Sequence, residues 1–159
     1  IATVDGLPGY DRLDSTEEAL MRRLPPLHPG ARIAVTNVGQ GALAAYAASM
    51  QRDAHVVLVD RDLLALRTAR RALISLGVAE EHIEAHHLAV REPALETEGG
   101  AAAVEAEYAA LVSMIAPGGS ALLAGTSTAI TRLLAHRLPP GMRAARTRHR
   151  GTSFLEVTA

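Results

Sequence analysis

The chain has 159 residues, 48% of them apolar and 21% charged, with a formal net charge of −1. That length and apolar content suit one domain around one sizeable core, and the balanced charge excludes both an acidic disordered tail and a uniformly basic coat. Cysteine is absent, which removes a disulfide framework, a thiolate zinc site, an iron–sulfur cluster and a cysteine nucleophile together. The longest uninterrupted apolar run, 42–48, falls far short of the ~18 residues that a bilayer span needs.

The N-terminus begins with Ile1 and carries Asp5, Pro8 and Asp11 where a secretory signal would need an apolar stretch, so a trimmed start of a longer chain is expected. Charge is uneven: residues 1–107 hold 10 Arg against 16 acids, whereas 108–155 hold 6 Arg and no acid. Arg132, Arg137, Arg143, Arg146, Arg148 and Arg150 can track a phosphate backbone, and a plain solvated face explains them equally well. Every basic residue other than His is Arg, which codon bias accounts for.

In chain order, Asp14 precedes Ser15-Thr16-Glu17-Glu18 as a capping pattern for a helix from Ser15 to about Leu24, stopped by prolines. Arg32–Thr36 reads as a buried parallel strand, Gly39 and Gly41 open a helix over Ala42–Met50, and His55–Asp60 is a second buried strand. Leu63, Leu66, Ala69, Leu73 and Leu76 recur at helical spacing, with Gly77 at the C-cap position. Ile83–Val90 reads as strand, Ala101–Ile115 as helix, Ser120–Ala124 as strand and Ser127–His136 as helix. Two terminal β runs, Arg143–Arg148 and Ser153–Thr158, look like a hairpin. The alternation predicts an α/β fold, a doubly wound and mostly parallel sheet closed by a C-terminal β-hairpin, in one domain over 1–159.

Such sheets bind ligands beyond the carboxyl ends of their strands, which points to 36–43 and 60–62. Gly39 and Gly41 let backbone approach a ligand at a helix N-terminus, and Asp60, ending the second strand, can accept both hydroxyls of a ribose. Gly39-x-Gly41-x-x-Ala44 with Asp60 also satisfies a dinucleotide fingerprint, so a nicotinamide-binding domain is a competing class. No room remains for a substrate domain, which favours nucleoside binding without pyrophosphate.

These residues resemble the class I S-adenosylmethionine-dependent methyltransferases, in particular the methyltransferase small domain enzymes that modify guanine N2 in ribosomal RNA. The resemblance spans nearly the whole chain. Leu7–Asp14 looks like the lead-in segment over the cofactor pocket, making 1–14 a lead-in. Val59–Leu73 is similar to the ribose-binding strand and its helix; Ala116–Leu122 resembles the later helix-to-strand turn and Phe154–Val157 the last strand. The resemblance implies a Rossmann-like methyltransferase fold, S-adenosylmethionine as cofactor, and Asn37, Gly39, Gly41, Asp60 and Arg61 as cofactor-binding residues.

Departures fall on the same positions. The family's first loop reads acid-x-Gly-x-Gly-x-Gly; here Val35 stands for the acid and Asn37 for the first glycine. Leu88–Leu95 aligns with the strand ending in Asn-Pro-Pro-aromatic, where the asparagine and a proline carbonyl accept hydrogen bonds from the target amine and the aromatic stacks on the base. Only Pro93 matches; Glu92 can accept an amine hydrogen bond, and Leu95 offers no π-face. This alignment leaves 77–85 for the third strand and its return, so the edge strand is expected to be missing, since an edge strand is cheaper to lose than a central one. The alternatives are Ile83–Val90 as that third strand with the central fourth absent, or a stretch missing between 77 and 100.

His82, His86 and His87 cluster, but adjacent strand residues face opposite ways and no carboxylate at ligand spacing completes a site, so no metal is expected. Ser120 and Ser127 lack a nucleophile elbow, and one Phe with three Tyr cannot make a stacking platform. The resulting expectation is a cytoplasmic methyltransferase acting on an exocyclic base amine of RNA, ribosomal RNA first. In it Glu92 and Pro93 meet the amine, and Arg143, Arg146, Arg148 and Arg150 contact phosphates. The alternative is a catalytically inactive methyltransferase-like domain that binds or scaffolds RNA, and a partner domain N-terminal to this chain is left open.

Overall fold

A computed structural model describes residues 3–7, 10, 12–13, 15–87, 100–149 and 151–159. They form two compact units, one within residues 1–90 and one within 91–159.

In the first unit, α1 (Ser15–Met21) is followed by β1 (Arg32–Thr36), α2 (Ala42–Met50), β2 (His55–Asp60), α3 (Leu63–Ser75), a 3₁₀ turn over Glu80–His82 and β3 (Ile83–His87). The three strands pair in parallel in the order β1-β2-β3, with Thr36 opposite Val59 and Asp60 opposite His87. Strand side chains alternate, so Val35, Val56, Leu58 and Ile83 share one face. They bury there with Ala44 and Ala48 of α2 and Leu66, Ala69 and Leu73 of α3. Small residues on α2 let it approach closely: Ala44 and Ala47 are fully buried. Asp62 caps α3, its carboxylate accepting from the Leu64 N–H at 2.7 Å, a bond of a kind that stabilises a helix by ~1 kcal/mol.

The position of β3 corrects one expectation. Ile83–His87 pairs with β2 at the outer edge, so the edge strand is present. The return is short because α3 ends in a Schellman turn. Val78 N–H donates to Leu73 O at 3.1 Å and Gly77 N–H to Ile74 O at 2.9 Å, while Gly77 holds φ +85°. Among the described residues no strand pairs with the other edge of β1. Residues 88–99, which include Glu92, Pro93 and Leu95, lie outside the described residues, as does Arg150.

The second unit holds α4 (Gly100–Ser113), β4 (Ser120–Gly125), α5 (Ser127–Leu134), β5 (Arg143–His149) and β6 (Thr152–Thr158). β5 and β6 form the expected hairpin, and β6 also pairs antiparallel with β4, giving the order β4-β6-β5. Leu155 and Val157 pack with Tyr108 and Val112 of α4 and Ile130 and Leu133 of α5 in a second buried cluster. Thr126 caps α5, accepting from the Ala129 N–H at 3.2 Å. Among the described residues no helix is long and apolar enough to cross a membrane.

Candidate functional site

At the carboxyl end of the parallel sheet, the loop after β1 and the end of β2 lie side by side. Asn37 N–H donates to Val59 O at 3.0 Å, extending the β1–β2 ladder by one residue and bringing Asn37 level with Asp60. The Asp60 side chain is buried, and its Oδ1 accepts the Asp62 N–H at 2.9 Å. This bond holds the carboxylate at the strand end. Arg61 follows it, exposed, and its carbonyl oxygen lies 2.9 Å from His87 Nε2 at the end of β3.

The loop keeps a glycine-like path without its first glycine. Asn37 has φ +53°, a left-handed conformation that Asn tolerates better than other non-glycine residues. Replacing glycine by asparagine there leaves the turn intact. Gly39 is also left-handed, at φ +49°. Gly41 has a different reason to be glycine: a Cβ at this position would meet the Cα of Ala69 at 2.6 Å and its Cβ at 2.8 Å. Its smallness serves the contact of α2 with α3. Val35, in place of the family's acid, is buried in the first core cluster.

Two polar residues of this region carry no signal in the spacing of the sequence. Gln40 is buried between the glycines, its Oε1 accepting from Val4 N–H at 2.9 Å and its Nε2 donating to Val4 O at 2.8 Å and Leu7 O at 3.2 Å. It fastens the described part of the lead-in onto the loop, with Leu7 buried in the first cluster. Glu17 of α1 accepts the Leu43 N–H in the first turn of α2 at 2.9 Å, an acid where the positive end of a helix favours one. Glu17 stands in the capping pattern of α1 and Gln40 at the variable position between the glycines, so neither contact is written in a motif; each is legible only once the lead-in and α1 are placed over the loop.

The residues fit a nucleoside cofactor. A buried, fixed carboxylate at the strand end can accept two ribose hydroxyls, and the loop beside it is lined by backbone. Among the described residues no group of three or more His, Asp or Glu could hold a metal ion. His86 and His87 stand on opposite faces of β3, and His86 lies 3.5 Å from Glu84.

In the second unit, Arg143, Arg146 and Arg148 are all exposed on β5, an edge strand. Alternation places Arg146 and Arg148 on the face that carries Ala144, and Arg143 on the other.

A parallel β-α-β-α-β unit with a glycine-bearing first loop and an acid ending its second strand defines a nucleoside-binding α/β fold. The chain belongs to the methyltransferase small domain family, whose model matches residues 1–97; the methyl donor of these methyltransferases is S-adenosylmethionine. No curated protein matches the chain by sequence. Solved structures match its fold. TrmN from Thermus thermophilus is 21% identical with a TM-score of 0.59 over 89% of this chain and 47% of its own. The chain therefore spans about half of that protein. A putative rRNA-methylase from Clostridium thermocellum is 10% identical, TM-score 0.63, covering 89% of this chain and 94% of its own. An rRNA methylase from Streptococcus thermophilus is 15% identical, TM-score 0.61, covering 89% and 92%.

Proposed function

We propose that this chain transfers a methyl group from S-adenosylmethionine to an exocyclic base amine of RNA, ribosomal RNA being the first substrate to test, in the cytoplasm. The observation that carries the reading is Asp60, a buried carboxylate fixed by the Asp62 N–H beside the Asn37–Gly41 loop. The description of two neighbouring structures as rRNA methylases supports the substrate class.

S-adenosylmethionine, when bound, supplies a methyl carbon made electrophilic by its sulfonium. Asp60 would accept the ribose hydroxyls, the backbone of Asn37, Gly39 and Gly41 would hold the methionine moiety, and Arg61 would stand beside the ribose. On the alignment of Leu88–Leu95 with the family's Asn-Pro-Pro-aromatic segment, Glu92 and the Pro93 carbonyl would accept hydrogen bonds from the amine and orient its lone pair, so the protein would contribute positioning and exclusion of water. Arg143, Arg146, Arg148 and Arg150 contact phosphates. In this reading residues 1–159 act as one domain, with 1–14 as its lead-in.

A second reading, a catalytically inactive module that binds RNA, is favoured by Val35 in the acid's place and by β3 taking the outer edge position. Calorimetric titration with S-adenosylhomocysteine separates the two. Each hydrogen bond to a charged acceptor is worth about 1.5–3 kcal/mol, so losing the two from the ribose in Asp60→Ala is expected to weaken micromolar binding by about 100- to 10,000-fold. A folded wild-type chain that releases no heat at millimolar ligand refutes the enzyme and leaves the binding module.

A further inference from the structure

Arg146 is held differently from three arginines of the first unit. In the first unit Arg22, Arg32 and Arg70 meet carboxylates, those of Glu18, Glu84 and Glu80. Arg146 of the second unit meets hydroxyls: Nη1 donates to Thr131 Oγ1 at 2.6 Å, and Nη2 donates to Ser127 Oγ and, at 3.4 Å, to the buried Ser153 Oγ. No acid occurs anywhere in 108–155. Glu156, just beyond, stands opposite Ala145 and so on the other face of the sheet from Arg146.

Hydroxyl partners fix the guanidinium without neutralising it. Ser127 Oγ accepts from Arg146 and keeps its own hydrogen to donate, whereas Thr131 Oγ1 also donates to Ser127 O at 2.8 Å. A guanidinium has five N–H donors, so Arg146 retains hydrogens beyond those three contacts. Ser127 and Thr131 line an open cleft of about 500 Å³ together with Thr128, Arg132 and Ala135. Two hydroxyls of the lining thus hold the pre-oriented Arg146 guanidinium beside the cleft, and the lining itself adds Arg132 and the Ser127 hydroxyl hydrogen, donors of the kind a tetrahedral oxyanion needs.

We propose that this cleft is a phosphate-binding site, and that on RNA it takes one backbone phosphodiester, which would make Arg146 the anchoring contact among the β5 arginines. The RNA half rests on the proposed function; the phosphate half does not.

The test uses the full chain. Inorganic phosphate is titrated while the Arg146 Nε–H resonance is followed, and a labelled single-stranded RNA is titrated by fluorescence anisotropy across a salt series. Ser127→Asp is the main variant: an acid in the first turn of α5 favours the helix and occupies the Arg146 guanidinium. Arg146→Lys keeps the charge and loses the fork, and Arg67→Ala removes an equal charge from the exposed side of α3.

Expected are a saturable shift with phosphate that Ser127→Asp abolishes, and an RNA affinity that falls about tenfold in that variant with a salt slope smaller by about 1. Arg146→Lys is expected in between, and Arg67→Ala near wild type. If RNA binds but Ser127→Asp and Arg67→Ala weaken it equally, and phosphate moves nothing, the site is refuted while the RNA reading stands. If phosphate binds and is lost in Ser127→Asp but RNA does not bind, the site stands and the RNA reading falls. A wild-type chain, shown folded by circular dichroism, that binds neither refutes both.

Discussion

The two units solve packing with different materials. The first buries Ala, Val, Leu and Ile around a three-stranded parallel sheet, and its functional groups are backbone, one buried carboxylate and one buried amide. The second wraps an antiparallel sheet with two helices, buries a tyrosine in its cluster and presents arginines on an exposed edge strand. A pocket for a small uncharged nucleoside face wants short-range backbone precision, and a surface for a polyanion wants exposed fixed charge. On the proposed function each unit carries one of those tasks, so variants that damage one should leave the other's readout intact.

The largest expected effect tests the close packing of the first unit. Gly41→Ala puts a Cβ 2.6 Å from the Ala69 Cα at a residue with φ +82°, and overpacking with left-handed strain costs about 3 kcal/mol. Amide exchange should accelerate across α2 and α3 by about 100-fold, with α5 and β6 unchanged. Uniform acceleration over both units would break the comparison by showing one cooperative whole.

Next in size is Gln40→Ala, which removes the acceptor of the Val4 N–H and the donor to the Val4 and Leu7 carbonyls. Net losses near 1 kcal/mol per bond, less what water restores, give about 2 kcal/mol. The Val4 and Leu7 amides should lose protection, and S-adenosylhomocysteine should bind more weakly because the lead-in no longer braces the loop. Unchanged protection at Val4 would show that Leu7 burial alone holds the segment.

Most of the fold was legible because its signals are local. Arg32–Thr36, Ala42–Met50 and His55–Asp60 are strand, helix and strand to the residue, since apolar runs flanked by Gly and Pro leave few alternatives. The presence of the edge strand is not legible because strand order is a tertiary choice: nothing within Ile83–His87 says where in the sheet it pairs, and the compactness of the Gly77 turn lets it reach β2. The insertion of β6 beside β4 is hidden for the same reason. The position of Asp60 at a strand end was legible. Gln40 and Glu17 were not, because their partners lie 36 and 26 residues away. The contact of Gly41 with Ala69, in the next helix, is a second reason for glycine there that the loop's own spacing does not carry.

The smallest effect concerns the second core. The Tyr108 hydroxyl is buried without a hydrogen-bond partner among the described residues, and burial pushes its pKa above the ordinary tyrosine value. A tyrosine whose folded pKa is raised contributes stability that is complete below about pH 10, where the unfolded side chain ionises, and is lost as pH rises through the folded value. Tyr108→Phe removes an unsatisfied buried hydroxyl, so it should raise stability by about 1 kcal/mol in urea melts at pH 8. It should also remove this tyrosine's share of the stability decline that begins above about pH 10, where an ordinary phenol ionises. The ring still packs with Val112 and Leu155 in the cluster and meets His136 edge-on, with centroids 6.3 Å apart. A Phe variant less stable at pH 8 would mean that the hydroxyl does work in this core. The second unit would then depend on buried polarity as the first depends on Gln40 and Asp60, and the contrast between the two would narrow to the charge they expose.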